Sequence, residues 1–190
     1  MPLNLPNLVT WLRILLIPLL IGLYYVPEDW LSMSSKNTVA CGTFIVAALS
    51  DWLDGYLARA LDQTSAFGAF LDPVADKLIV AAALIVLVQL GRVEMIVALI
   101  IIGREIAISA LREWMASIGK SKSVAVAFVG KVKTASQMIA IPLLLYEDEL
   151  FGIVSTQWLG TVLINVAAVL TVISMLVYLR RALPHAADEL

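Results

Sequence analysis

Six long apolar runs divide the chain, most of them close to the length that crosses a bilayer. A helix needs about 20 mostly apolar residues to span a hydrocarbon core of ~30 Å. Only helices and closed barrels satisfy every backbone group there. These runs are too long, and alternate too little, for barrel strands. The spans are expected near residues 8–26, 37–61, 69–90, 93–118, 132–146 and 157–179. Of the 190 residues, 61% are hydrophobic and the mean hydropathy is +0.94. Soluble domains sit near 45–50%. The expected fold is therefore an all-α integral membrane protein, one transmembrane domain over residues 1–190 with six transmembrane helices. "LPNLVTWLR" is expected to begin as an N-terminal interfacial helix. No basic segment precedes the first run and Arg13 interrupts its start, so a retained span is expected rather than a cleaved signal. The single cysteine, Cys41, can form no internal disulfide and reads as packing.

Basic loop residues set orientation. Lys120, Lys122, Lys131 and Lys133 surround the fourth-to-fifth connection, Arg59 the second-to-third, and Arg180 and Arg181 the C-terminal end. The opposite connections, "PEDW", "GRVE" and "YEDEL", are poor in base and rich in acid. With six spans, both termini then face the cytoplasm. Trp11, Trp30, Trp52, Trp114 and Trp158 fall near span ends, as interfacial belts do. His185 lies in a tail expected to be mobile and carries no assigned chemistry.

Against this apolar background stands "SDWLDGYLARALDQTSAFGAFLDPVADKL", with five aspartates. Asp51 and Asp54 are three apart on one helix face, and Asp72 and Asp76 four apart on the next. An antiparallel hairpin brings the two pairs together. Carboxylates this close repel unless something neutralises them. Hard divalent cations suit oxygen-only ligands, and no neighbouring His or Cys points to zinc. Two such ions on shared carboxylates would orient and polarise a phosphate ester. Asp62, in the turn, reads as solvated. Gly55 and Ala58 lack bulk, leaving room for a ligand against the helix.

The spacing D-x2-D-G-x2-A-R-x8-G-x3-D-x3-D is met at Asp51, Asp54, Gly55, Ala58, Arg59, Gly68, Asp72 and Asp76. It resembles the signature of the CDP-alcohol phosphatidyltransferase family, without departure at any fixed position. "NLPNLVTWLRILLIPL" and "GREIAISALREWMASIGKSKSVAVAFVGKVKTASQM" extend the likeness; after Ile141 it is one of hydropathy alone. The resemblance implies a six-helix homodimer in the bacterial inner membrane, with a cavity open to the cytosol. It implies two Mg²⁺ or Mn²⁺ ions on Asp51, Asp54, Asp72 and Asp76, with Asp76 also the base for the acceptor hydroxyl. It implies transfer of a phosphatidyl group from CDP-diacylglycerol to an alcohol, with release of CMP. In the branch these stretches most resemble, that alcohol is glycerol 3-phosphate. Gly55, Ala58, Arg59 and Gly68 are then expected at the CDP moiety. Asn7, Thr10 and Arg13, at i, i+3 and i+6, lie near the cytosolic mouth by the same resemblance. Asn7 and Thr10 are expected at the nucleotide and Arg13 at the acceptor phosphate.

A phosphorylated acceptor needs a second phosphate site, which fixed guanidinium groups suit. Arg104 and Arg112, eight apart on the fourth span, are expected to form it with Lys131 and Lys133. Arg104 could instead pair with Glu105, and the lysines could merely mark the cytoplasmic side. A sibling enzyme acting on inositol phosphate, serine or phosphatidylglycerol shares the aspartate signature. A cation transporter with buried acids is the rival from another class, but it predicts acids along a path rather than gathered at one end. No nucleic-acid partner is expected.

Overall fold

The computed structural model describes the backbone of residues 5–60, 66–118, 128–150 and 154–187, and the side chains of 8–51, 68, 70–118, 130–149 and 154–180. Six helices follow one another: α1 (Leu5–Leu23), α2 (Met33–Ala60), α3 (Ala66–Gln89), α4 (Met95–Ser117), α5 (Phe128–Tyr146) and α6 (Thr156–Ala187). Between α5 and α6 lie two short antiparallel strands, β1 (Glu149–Leu150) and β2 (Val154–Ser155), with Glu149 opposite Ser155. Helix α1 runs unbroken from Leu5, so an interfacial segment and a span would be one continuous rod. Helix α6 continues to Ala187, so the segment holding His185 is helical where a mobile tail was expected.

Local chemistry sets several ends. Ser32 caps α2, its Oγ accepting from the Ser35 amide at 3.3 Å. Ser155 does the same for α6, accepting from the Trp158 amide at 3.3 Å. Helix α3 stops at Gly91, whose φ of 70° a side chain would strain. The Gly91 amide donates to the Val88 carbonyl at 3.0 Å and the Arg92 amide to the Leu87 carbonyl at 2.9 Å, a Schellman stop.

Helices α5 and α6 pack most extensively; α1 lies against α2 and α3, and α4 against α6. Gly160 allows the close α5–α6 approach, because a Cβ there would stand 2.6 Å from Leu144 Cγ. One apolar cluster joins all six helices: Leu20, Phe44, Leu84, Leu87, Ile101, Ile141, Leu144, Leu145 and Ile164 are among its members. On several helices polar groups flank this cluster on both sides. On α3 it sits between Asp76 and Arg92, and on α5 between Gln137 and Glu147.

The outside is apolar as well: Leu15, Ile85, Ile96, Leu99, Ile106, Ile139, Val169 and Leu176 are exposed. Exposed apolar surface on this scale suits a lipid solvent. Among the described residues, one helix is both long and apolar enough to cross a membrane, Thr156–Arg180 of α6, 25 residues of mean hydropathy 2.5. Leu8–Leu23 of α1 is apolar but shorter, and α4 is interrupted by Arg104, Glu105, Arg112 and Glu113.

Candidate active site

The up-and-down course of the helices gathers the starts of α1, α3 and α5 with the ends of α2, α4 and α6. Charged side chains from α1 to α5 meet there, and α6 adds Ser174 and Tyr178 as their partners. Helix α1 supplies Thr10 and Arg13, both buried. Arg13 Nη1 pairs with Asp51 Oδ1 of α2 at 2.8 Å, and Thr10 Oγ1 donates to Asp72 Oδ1 of α3 at 2.5 Å. Asp76, one turn beyond Asp72, lies within electrostatic reach of Asp51, Arg13, Lys77 and Glu105. So α1 ties together the two helices that carry the aspartates. Thr10 and Arg13, expected at nucleotide and acceptor phosphate, are found holding carboxylates.

Gly68 is buried in the first turn of α3. Asn7 stands on α1, and Asp54, Gly55, Ala58 and Arg59 on the last turns of α2, but their side chains lie outside the described residues, as Asp62 does altogether. Among the described residues no three of His, Cys, Asp or Glu close into a ligand cluster. The donor chemistry nonetheless fits a hard divalent cation. Asp51, Asp72 and Asp76 are carboxylates at two adjacent helix ends, and Asp51 is half exposed, its side chain at 49%.

The basic residues form a second group beside the first. Arg104 is buried on α4; its Nη2 donates to Ser174 Oγ of α6 at 3.1 Å and its Nη1 reaches Glu105 at 3.4 Å. Glu105 also pairs with Lys133 of α5. The guanidinium carbons of Arg104 and Arg112 stand 5.5 and 5.4 Å from the centre of one ring, Tyr178 of α6. Both distances lie within cation–π range. Arg112 Nη2 also donates to the Tyr178 hydroxyl at 3.1 Å. Lys131 is exposed, two residues from Lys133 and so on another helix face. Arg104 Nε is buried without a hydrogen-bond partner among the described residues.

A cavity of about 60 Å³ joins the two groups, lined by Asp76, Lys77, Val80, Glu105, Lys133, Thr134, Gln137 and Met138. Reasoning from sequence missed Tyr178, Ser174 and Gln137. A signal for the first two existed: Thr171, Ser174 and Tyr178 recur at i, i+3 and i+7 in an apolar run, all three are buried, and Ser174 and Tyr178 meet the arginines of α4.

This is the end of the hairpin where the signature lies, and the sequence profile of the CDP-alcohol phosphatidyltransferases matches residues 3–177. The chain belongs to the CDP-alcohol phosphatidyltransferase family. That family generally depends on divalent cations. A Pseudomonas fluorescens protein is 50% identical over 96% of this chain and 91% of its own length. Relatives from Salmonella choleraesuis and Shigella flexneri are 44% identical over the whole of both chains. All three carry the name CDP-diacylglycerol–glycerol-3-phosphate 3-phosphatidyltransferase. As a CDP-alcohol phosphatidyltransferase, the chain has its family signature on the α2–α3 hairpin that α1 braces.

Proposed function

We propose that this chain transfers the phosphatidyl group of CDP-diacylglycerol to glycerol 3-phosphate, giving phosphatidylglycerophosphate and CMP. The observation that carries this is the full-length identity of 44–50% to relatives that bear that name. The grouping of Arg104 and Arg112 around Tyr178, at the same end as the aspartates, supports it.

In this reading the acceptor hydroxyl attacks the donor phosphorus directly. Its proton passes to Asp76, and the bond to the CMP phosphate breaks with its electron pair leaving on CMP. Arg59 meets the charge that develops there. Gly55, Ala58 and Gly68 leave the nucleotide room, with Asn7 and Thr10 at its edge. Arg104, Arg112 and Lys133 bind the acceptor phosphate, with Lys131 and Arg13 adding positive field. Asp51, Asp54, Asp72 and Asp76 would hold two divalent cations, Mg²⁺ or Mn²⁺, which when bound supply charge neutralisation and polarise the phosphate. All six helices span the membrane as one catalytic domain over residues 1–190, with both termini and the site on the cytoplasmic side of a bacterial inner membrane. The working form is a homodimer.

The test is CMP release by purified protein in lipid micelles with CDP-diacylglycerol, Mg²⁺ and one acceptor at a time. Release with glycerol 3-phosphate, lost in Asp76→Asn, is the expected result. Release with inositol phosphate, serine or phosphatidylglycerol instead would keep the family and reject this acceptor. Silence with every acceptor would reject the phosphatidyl-transfer chemistry.

A further inference from the structure

The cavity beside Asp76 contains a polar side chain that the chemistry above does not use. Gln137, on α5, is 3% exposed, and its amide oxygen has no hydrogen-bond partner among the described residues. The polar neighbours on its own helix are engaged elsewhere. Thr134 Oγ1 donates to the Gly130 carbonyl at 3.0 Å, and Lys133 pairs with Glu105. A buried amide oxygen without a partner costs stability, and where it lines a cavity a bound hydroxyl is the kind of group that completes it. Gln137 lines the same cavity as Asp76, Glu105 and Lys133, and it lies one helical turn from Lys133 on the same face of α5.

We propose that Gln137 binds the non-reacting hydroxyl of the acceptor and so selects a vicinal diol. The proposal rests on the reading that the acceptor is glycerol 3-phosphate. The hydroxyl that attacks must stand within hydrogen-bond reach of Asp76. In glycerol 3-phosphate the second hydroxyl is one carbon further on. With the phosphate toward Lys133 and the attacking oxygen at Asp76, that hydroxyl falls between them, on the wall Gln137 forms. A site that hydrogen-bonds a substrate hydroxyl rejects the analogue lacking it far better than an apolar pocket rejects an added group. Gln137 is thus a specificity-determining residue, distinct from the arginines that recognise the phosphate.

The experiment compares glycerol 3-phosphate with 3-hydroxypropyl phosphate, which keeps the phosphate, the chain length and the attacking hydroxyl but lacks the second hydroxyl. CMP release gives kcat/KM for each, with full-length wild type, Gln137→Leu and Gln137→Met. Wild type is expected to prefer glycerol 3-phosphate by about 30-fold or more. In both variants the ratio should fall to within about threefold, because the group that distinguished the acceptors is gone. The thermal midpoint in detergent should hold or rise, since an unpaired buried amide is replaced by an apolar chain. A preference that survives in the variants, an equal loss for both acceptors, or a wild type indifferent to the missing hydroxyl would each overturn the assignment. A wild type that turns over neither acceptor would bring down the reading of the previous subsection, and the Gln137 role with it.

Discussion

The two ends of the bundle treat their buried charges differently. At the end away from the aspartates, Arg92 leaves the Schellman stop and turns inward. Its Nη1 donates to the carbonyls of Leu144 and Leu145 at 3.2 and 3.0 Å, and its Nη2 to Asn37 Oδ1 at 3.0 Å. Glu147 completes it as an ion pair. Lys36, also buried, donates to the Val26 carbonyl at 2.5 Å. These partners are mostly backbone oxygens that the C-termini of helices leave over. At the aspartate end the partners are mainly side chains from other helices; buried polar atoms without a partner among the described residues occur at both ends, Arg92 Nε and Gln157 Oε1 at the first, Arg104 Nε and Gln137 Oε1 at the second. Both ends have a cavity, one lined by Arg92 and Glu94 and one by Asp76, Glu105 and Lys133, but the first end uses its buried charge largely to finish helices, whereas the second pairs its charges with one another across helices. Buried charge alone therefore does not mark a functional site. What its partners are, backbone or exchangeable side chain, separates the two cases.

That contrast can be broken by mutation. Asp76→Asn should lower CMP release by about 10³-fold with the unfolding temperature essentially unchanged, because it removes a proton acceptor and not a structural partner. Chelation of divalent cations should abolish the same signal, and added Mg²⁺ or Mn²⁺ should restore it. Arg92→Ala should do the reverse. It strands two carbonyls and Glu147, and thermal unfolding in detergent should report a loss of about 2–3 kcal/mol, below the full buried-pair penalty because Glu147 can hydrate. Turnover per folded molecule should stay near wild type. Gly160→Ala tests the packing between the ends. The overlap with Leu144 should cost about 1–3 kcal/mol, part of it recovered by Leu144→Ala in the same chain. The smallest effect is expected from Tyr178→Phe, which keeps the ring under both arginines and removes the hydroxyl bonded to Arg112. KM for glycerol 3-phosphate should rise about 3–10-fold with KM for CDP-diacylglycerol unmoved. A Tyr178→Phe enzyme that loses stability but no acceptor affinity would move Tyr178 to the structural class.

Six helices could be read from hydropathy because each apolar run is long and separated from the next by turn residues or charge. The aspartate hairpin could be read because spacing within a helix fixes which residues share a face. Partners between distant helices could not. Nothing near Thr10 announces Asp72, 62 residues later, and Arg13 beside an apolar run reads equally well as an anchor or a ligand. "GRVE" looks like loop charge until Gly91 reverses the chain and sends Arg92 inward. Tyr178 hid for a related reason: an aromatic in an apolar helix reads as packing until both arginines are seen around its ring.

The apolar layer through the middle of every helix has a consequence for the cell that houses this bundle. Phe44, Leu84, Ile101, Ile141 and Leu144 are essentially fully buried and stand between the two charged ends. Set in a bilayer, the site is a cul-de-sac. Glycerol 3-phosphate and CMP would then enter and leave at the charged end, while the lipid donor and product would exchange with the membrane. A bundle so placed would carry out lipid synthesis without opening a path for ions across the membrane.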